Sequence, residues 1–169
     1  MDHEQLRLAP NLLAVLRAGV THALERGGRF VAPPDLLRAL LADPEVGPVL
    51  AGLVAHERLA KAALAASDKP PGVAEIADDA PPPGSEGAVG PPPFPRYDTF
   101  AFRSADGAVS LYLDADAHHL FIEGARRADD VYRPKHLALG FAEESVKDGG
   151  ILALFGTNPQ DVSVAIAAL

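Results

Sequence analysis

The feature that most constrains what this chain can fold into is an echo. The stretch Val131-Tyr132-Arg133-Pro134-Lys135-His136-Leu137-Ala138-Leu139-Gly140-Phe141 answers Phe30-Val31-Ala32-Pro33-Pro34-Asp35-Leu36-Leu37-Arg38-Ala39-Leu40, about a hundred residues earlier. Setting Pro33 on Pro134 brings Asp35 onto His136, Leu36 onto Leu137, Ala39 onto Gly140 and Leu40 onto Phe141. Each copy reads as a helix start, because proline is tolerated in a first turn whose N–H has no intrahelical partner. Each follows an amphipathic helix and precedes two more short apolar segments. One unit used twice is the frame in which the rest has to be placed.

In the first copy Leu12, Leu13, Val15, Leu16, Val20, Ala23 and Leu24 carry the three-and-four spacing of a buried stripe. That spacing predicts a helix over 8–26, ended by Gly27-Gly28. A proline-started helix to about Leu41 follows, then a short one holding Val49, Leu50, Leu53 and Val54, then one from His56 to Ala66. Asp43-Pro44 reads as a cap with a first-turn proline. The second copy opens at Asp114, a predicted N-cap, and buries Ala117, Leu120, Phe121, Gly124, Ala125 and Ala128. The helix at 134–144, the segment Ile151-Leu152-Ala153-Leu154-Phe155 and a final helix capped by Asn158-Pro159 complete it. The expected fold is mainly α: two pseudo-symmetric four-helix repeats, residues 1–66 and 114–169, forming one domain.

Between them lie a linker and a hairpin. Nine of the sixteen prolines fall between Pro70 and Pro95, interspersed with Gly84, Gly87 and Gly90. Such a stretch cannot hold a helix or a sheet interior, so 67–98 reads as a semi-rigid Pro/Gly-rich spacer. Residues 99–113 read as a β-hairpin about Asp106-Gly107, a two-residue turn that needs positive φ. Folding there pairs Phe102 with Leu111 and Phe100 with Leu113, all on one face. A lone hairpin is marginal in water, so that face is expected to pack on the helices or on another molecule.

Composition narrows the function. The net charge is −8, with no basic face of the kind nucleic acid requires. Residues 1–66 balance seven acidic against seven basic side chains, whereas 67–113 and 114–169 each carry −4. Cysteine is absent, which removes disulfides, thiolate nucleophiles and cysteine zinc sites together. No apolar run reaches the roughly 20 residues of a membrane span, and the acidic, polar start is unlike a secretory signal. The expected setting is the cytoplasm. There is no Gly-x-x-x-x-Gly-Lys-[Ser/Thr] loop, no Gly-x-Ser-x-Gly elbow and no His-Glu-x-x-His helix. The adjacent His118 and His119 point about 100° apart on a helix and cannot easily share a metal. Asp114 and Asp116 read as a cap and a solvated carboxylate. The sequence calls for no catalytic residue, no cofactor and no metal, and a small enzyme stands as the lesser alternative to a binding protein.

The order of helices, the duplication and two motifs together resemble the Clp N-terminal domain, the paired helical repeat at the front of Clp-type AAA+ unfoldases. Pro134-Lys135-His136-Leu137-Ala138-Leu139-Gly140 is similar to that family's Thr-Glu-His-Leu-Leu-Leu-Gly. Gly150-Ile151-Leu152-Ala153-Leu154-Phe155-Gly156 is similar to its segment ending in a leucine-glycine turn. The resemblance covers residues 8–66 and 113–169; the hairpin and proline-rich insert depart from it. It implies a non-catalytic protein-binding module, an adaptor, substrate-docking or decoy protein of Clp-type quality control without the ATPase. Its partners would be an unfoldase, an adaptor or their substrates.

Two surfaces are candidates for binding. One is the inter-repeat groove with the helix starts: Pro34, Asp35, Arg133, Lys135 and His136. The other is the hairpin face of Phe100, Phe102, Leu111 and Leu113, which would serve a homodimer or a self-associating regulatory protein unrelated to proteolysis. Some members of the resembled family hold phosphoarginine with a glutamate just before the histidine position. Here Pro34 and Lys135 stand there, and neither accepts a guanidinium. Arg133, Lys135 and His136 at a helix start would instead favour a carboxylate or phosphate.

Overall fold

The computed structural model describes residues 6–65, 88–89, 101–147 and 159–169. In chain order they form β1 (Leu6–Leu8), α1 (Pro10–Glu25), α2 (Pro33–Leu41), α3 (Gly47–Ala51), α4 (His56–Ala65), β2 (Ala88–Val89), β3 (Ala101–Arg103), β4 (Ser110–Tyr112), α5 (Ala115–Ala125), β5 (Val131–Tyr132), α6 (Pro134–Lys147) and α7 (Pro159–Ala167). The protein is mainly helical, as its periodicity predicts, with small sheets at the joints.

Prolines set the helix starts. Pro10 and Pro33 open α1 and α2 at the first-turn position where no N–H is needed, and Pro134 and Pro159 are the first residues of α6 and α7. The predicted start of α1 at Leu8 is therefore two residues early. Leu6–Leu8 is a strand, because its N–H and C=O groups find partners in β5 and β2. Asp114 caps α5, its carboxylate accepting from the Ala117 N–H at 2.7 Å. Asp43 caps a turn: its carboxylate accepts from the Glu45 and Val46 N–H groups, and α3 begins only at Gly47. The predicted helix at 151–155 and the Asn158 cap lie outside the described residues.

The helices pack as α1 on α2 and α5 on α6, with α4 against α2 and α7 against α6. One core runs through them. Leu12, Leu16, Leu36, Leu37 and Leu40 are fully buried, as are Leu120, Phe121, Leu137 and Phe141. Leu139 is only partly buried beside this cluster.

Strand pairing joins the early and late parts of the chain. β1 lies parallel to β5, with Leu8 opposite Tyr132, and the Ala9 N–H donates to the Tyr132 carbonyl at 2.9 Å. Val31 forms a parallel bridge to Leu113, and the Asp114 N–H donates to the Val31 carbonyl at 2.9 Å. β1 also takes an antiparallel neighbour, β2, from the proline-rich segment. That segment is thus more than a spacer: between its prolines it supplies an edge strand, the one sheet position that proline-rich flanks tolerate.

The hairpin has the predicted register, with Phe102 opposite Leu111. Its turn differs. Asp106 does not take positive φ; only Gly107 does, at 76°. The Gly107 N–H donates to the Ser104 carbonyl, and the Ser104 N–H donates to the Val109 carbonyl. The loop is therefore 105–108, with Gly107 in the left-handed region. Asp106 acts through its side chain instead, accepting from the Ser104 hydroxyl and the Ala108 N–H. Those two bonds hold its carboxyl below the usual carboxylate range.

Two glycines let the helix pairs approach. A Cβ on Gly19 would meet Leu36 Cδ2 at 2.9 Å, with Val31 and Asp35 beyond. A Cβ on Gly124 would strike the Tyr132 hydroxyl and lie 2.9 Å from the His136 carbonyl oxygen and Leu137 Cα. The obstruction at Gly19 is the end of a leucine; at Gly124 it includes backbone. We expect Gly124→Ala to cost about 1–3 kcal/mol through overpacking. Gly19→Ala should lie near neutral, since the gain of roughly 0.5–1 kcal/mol in helix propensity offsets a small leucine shift. Urea unfolding of the two variants checks this; equal costs would mean that α5 and α6 can separate as easily as α1 and α2.

Candidate functional site

The helix starts proposed for binding are largely occupied by the chain itself. Pro34 and Asp35 are buried, Asp35 completely. Arg26 Nε donates to both carboxylate oxygens of Asp35, at 3.0 and 3.1 Å, and Nη2 donates to Oδ2 and to the Phe30 carbonyl, each at 2.9 Å. The Ala32 N–H donates to the same Oδ2 at 2.9 Å. Asp35 is thus no docking residue: it closes the loop between α1 and α2. A buried pair of this kind is costly to break, because removing one partner strands the other charge.

His136 stands in the equivalent place on α6. The Arg133 N–H donates to its Nδ1 at 3.0 Å, as the Ala32 N–H does to Asp35. The two starts share a further detail: Asp35 and Leu36 N–H donate to the Ala32 carbonyl at 3.0 and 3.4 Å, and His136 and Leu137 N–H to the Arg133 carbonyl at 3.0 and 3.4 Å. An aspartate and a histidine are exchanged here because each offers one acceptor to the N–H preceding the helix. Accepting at Nδ1 places the proton of the neutral ring on Nε2. Burial lowers the His136 pKa, the charges of Lys135 and Arg133 lower it further, and Asp129 opposes them. The N–H of Arg133, the residue before α6, is thus bonded within the chain. Arg133 is exposed and Lys135 half-buried.

The hairpin face is likewise used internally. Phe102 and Leu113 are buried, Leu111 is half-buried, and Phe100 lies outside the described residues. The Phe102 ring stands 5.7 Å from Phe121, Phe121 stands 5.1 Å from Tyr132, and Tyr132 stands 6.3 Å from His136. Tyr132 donates its hydroxyl proton to the Phe121 carbonyl at 2.7 Å. Burial pushes the phenol pKa far up, so it remains a neutral donor. The Ala105 N–H donates to Thr21 Oγ1 at 3.1 Å, tying the tip to α1. Of the two expected roles for this face, the chain uses it to cover its own helices; Phe102 and Leu113 are not available to a second copy.

A concavity that the sequence did not suggest opens between α1, α2 and α4. It is about 330 Å³ in volume and is lined by His22, Arg38, Leu41, Ala42, His56, Leu59 and Ala60. His56 Nε2 donates to the Ala51 carbonyl at 2.9 Å. His22 Nδ1 is enclosed without a hydrogen bond, 3.5 Å from Glu25 Oε2. The lining offers no hydroxyl, thiol or carboxylate, so it has neither a nucleophile nor a carboxylate acid–base pair. Its three polar members come from three helices, separated by loops, so no local motif announces them. His118 is half-buried and His119 exposed on α5. Among the described residues no three His, Asp or Glu side chains gather as a metal site, and no helix is long and apolar enough to cross a membrane.

No protein-family model matches the chain, and neither curated proteins nor solved structures give a significant match.

The His136 cap makes a pH-dependent prediction. A histidine with a depressed folded pKa is still neutral in the native state when the unfolded chain has begun to bind its proton. Stability is therefore complete above the ordinary value of 6.5 and falls as pH drops through the folded pKa. His136→Asp keeps an acceptor for the Arg133 N–H and removes this titration. Melting temperatures should fall less for the variant than for the parent between pH 7.5 and 5; an unchanged difference would show that His136 does not carry the effect.

Proposed function

We propose that this chain is a non-catalytic protein-binding module built on two pseudo-symmetric helical repeats of the Clp N-terminal type. It would act in the cytoplasm as an adaptor, docking or decoy protein for Clp-type quality control. The observation that supports the reading is a correspondence of contacts between the helix pairs α1/α2 and α5/α6. Gly19 faces Val31, Asp35 and Leu36, and Gly124 faces Tyr132, His136 and Leu137, the residues that the echo in the sequence pairs one to one. The two exchanged backbone bonds, Ala9 to Tyr132 and Asp114 to Val31, follow the same correspondence. Polar helix-start residues spent on capping, as Asp35 and His136 are, support binding better than catalysis.

The direct test mixes the purified chain with the Clp unfoldase of its own cells and follows degradation of a model substrate. We expect a complex on size exclusion and a changed degradation rate. Neither appearing at tens of micromolar would overturn the assignment to Clp-type quality control.

Phosphoarginine binding in the resembled family's manner should be absent, because Pro34 is buried and Lys135 presents a cation where a carboxylate would be needed. Calorimetric titration checks this: micromolar binding that is lost on mutating Lys135 would mean that the site persists in another form.

A further inference from the structure

We propose that the cleft between α1, α2 and α4 binds a carboxylate joined to an apolar group, of the kind presented by an N-acylated hydrophobic amino acid or a peptide C-terminus. Its volume, about 330 Å³, lies at the lower end of the range for small-molecule sites. Leu41, Leu59, Ala42 and Ala60 supply an apolar wall, and His22, Arg38 and His56 supply the polar groups. Arg38 is the one formally charged residue in the lining, and no carboxylate lies among the lining residues to neutralise it. A guanidinium recognises a carboxylate with two parallel N–H donors, which a neutral ligand cannot exploit.

The imidazoles define the rest of the ligand. His56 uses Nε2–H on the Ala51 carbonyl, so the lone pair on Nδ1 of the neutral ring remains to accept an N–H. His22 Nδ1 is enclosed and faces its own helix, 3.5 Å from Glu25 Oε2, so the His22 ring contributes to the wall of the cleft and His56 is the imidazole left to accept. A C-terminal residue brings the matching set: a carboxylate for Arg38, an amide N–H for an imidazole nitrogen, and an apolar side chain for Leu41 and Leu59. The cleft is formed by residues 22–60 alone, so this inference does not rest on the docking role proposed above.

The test titrates the full chain with N-acetyl-leucine, N-acetyl-leucinamide and a hexapeptide ending in leucine, followed by calorimetry and by NMR shifts of residues lining the cleft. The acid should bind saturably, and the amide about tenfold more weakly or worse, the loss expected for a charge-assisted bond. Arg38→Gln should weaken the acid to the level of the amide. Tighter binding of the peptide than of N-acetyl-leucine would identify a C-terminus as the source; equal affinity would identify a free small carboxylate. Ala60→Phe, at an exposed position, should block the cleft in a folded protein and abolish binding by any of the three. Absence of saturation, equal affinity for acid and amide, or binding unchanged in Arg38→Gln would overturn the proposal. If Arg38→Gln does not fold, unchanged binding in Ala60→Phe overturns it instead.

Discussion

Two backbone hydrogen bonds decide how this chain closes: the Ala9 N–H to the Tyr132 carbonyl, and the Asp114 N–H to the Val31 carbonyl. Each joins the residue before one long helix, α1 or α5, to the residue two before α6 or α2, on the other side of the proline-rich segment. Neither half satisfies these groups alone. Buried backbone donors and acceptors must be paired, so the helix pairs α1/α2 and α5/α6 are held together by their entry strands as well as by the core. The hairpin and β2 then extend the same strands outward. Phe102 turns this arrangement into packing, since its ring reaches Phe121 from the hairpin side.

Within that frame each proline-started helix solves one local problem with different chemistry. The N–H before the helix needs an acceptor. On α2 it is the Asp35 carboxylate, whose charge is then compensated by Arg26 in a buried, multiply bonded pair. On α6 it is a neutral imidazole that requires no counter-ion. The histidine solution leaves Arg133 and Lys135 unneutralised by their cap, and those charges in turn help keep the ring neutral. The aromatic line from Phe102 to His136 replaces the aliphatic contacts of the first helix pair, and glycine at both 124 and 140 lets α6 come close enough to α5 to complete it.

Much of this was legible in the sequence because it is written in local spacing. The stripes of α1 and α5, the prolines at helix starts, the Asp114 cap and the Phe102–Leu111 register all depend on residues within a few positions of one another. The strands Leu6–Leu8, Ala88–Val89 and Val131–Tyr132 were not, because two- and three-residue strands exist only through partners distant in sequence. The Asp106-Gly107 pair marks where the turn falls but not its type: Ser104 and Ala108 engage the Asp106 side chain, and only Gly107 of the two takes positive φ. The helix-start residues were legible as important but not as internal. An acceptor that caps its own helix and one that faces a ligand have the same sequence signature.

That ambiguity bears on where the chain can carry function. Gly19 and Gly124 are spent on close helix approach, and Asp35 and His136 on capping. Freedom to bind lies with side chains that have no such duty. Arg38 answers Leu139 in the echo, and Leu139 is partly buried against the core whereas Arg38 lines an open cleft. Arg38 thereby brings a cation to a space bounded by the apolar side chains of Leu41, Ala42, Leu59 and Ala60. A ligand held there would leave undisturbed the caps and backbone bonds that build the fold. Side chains spent on capping and close packing hold the fold, and those that face an open cleft are the place to look for recognition.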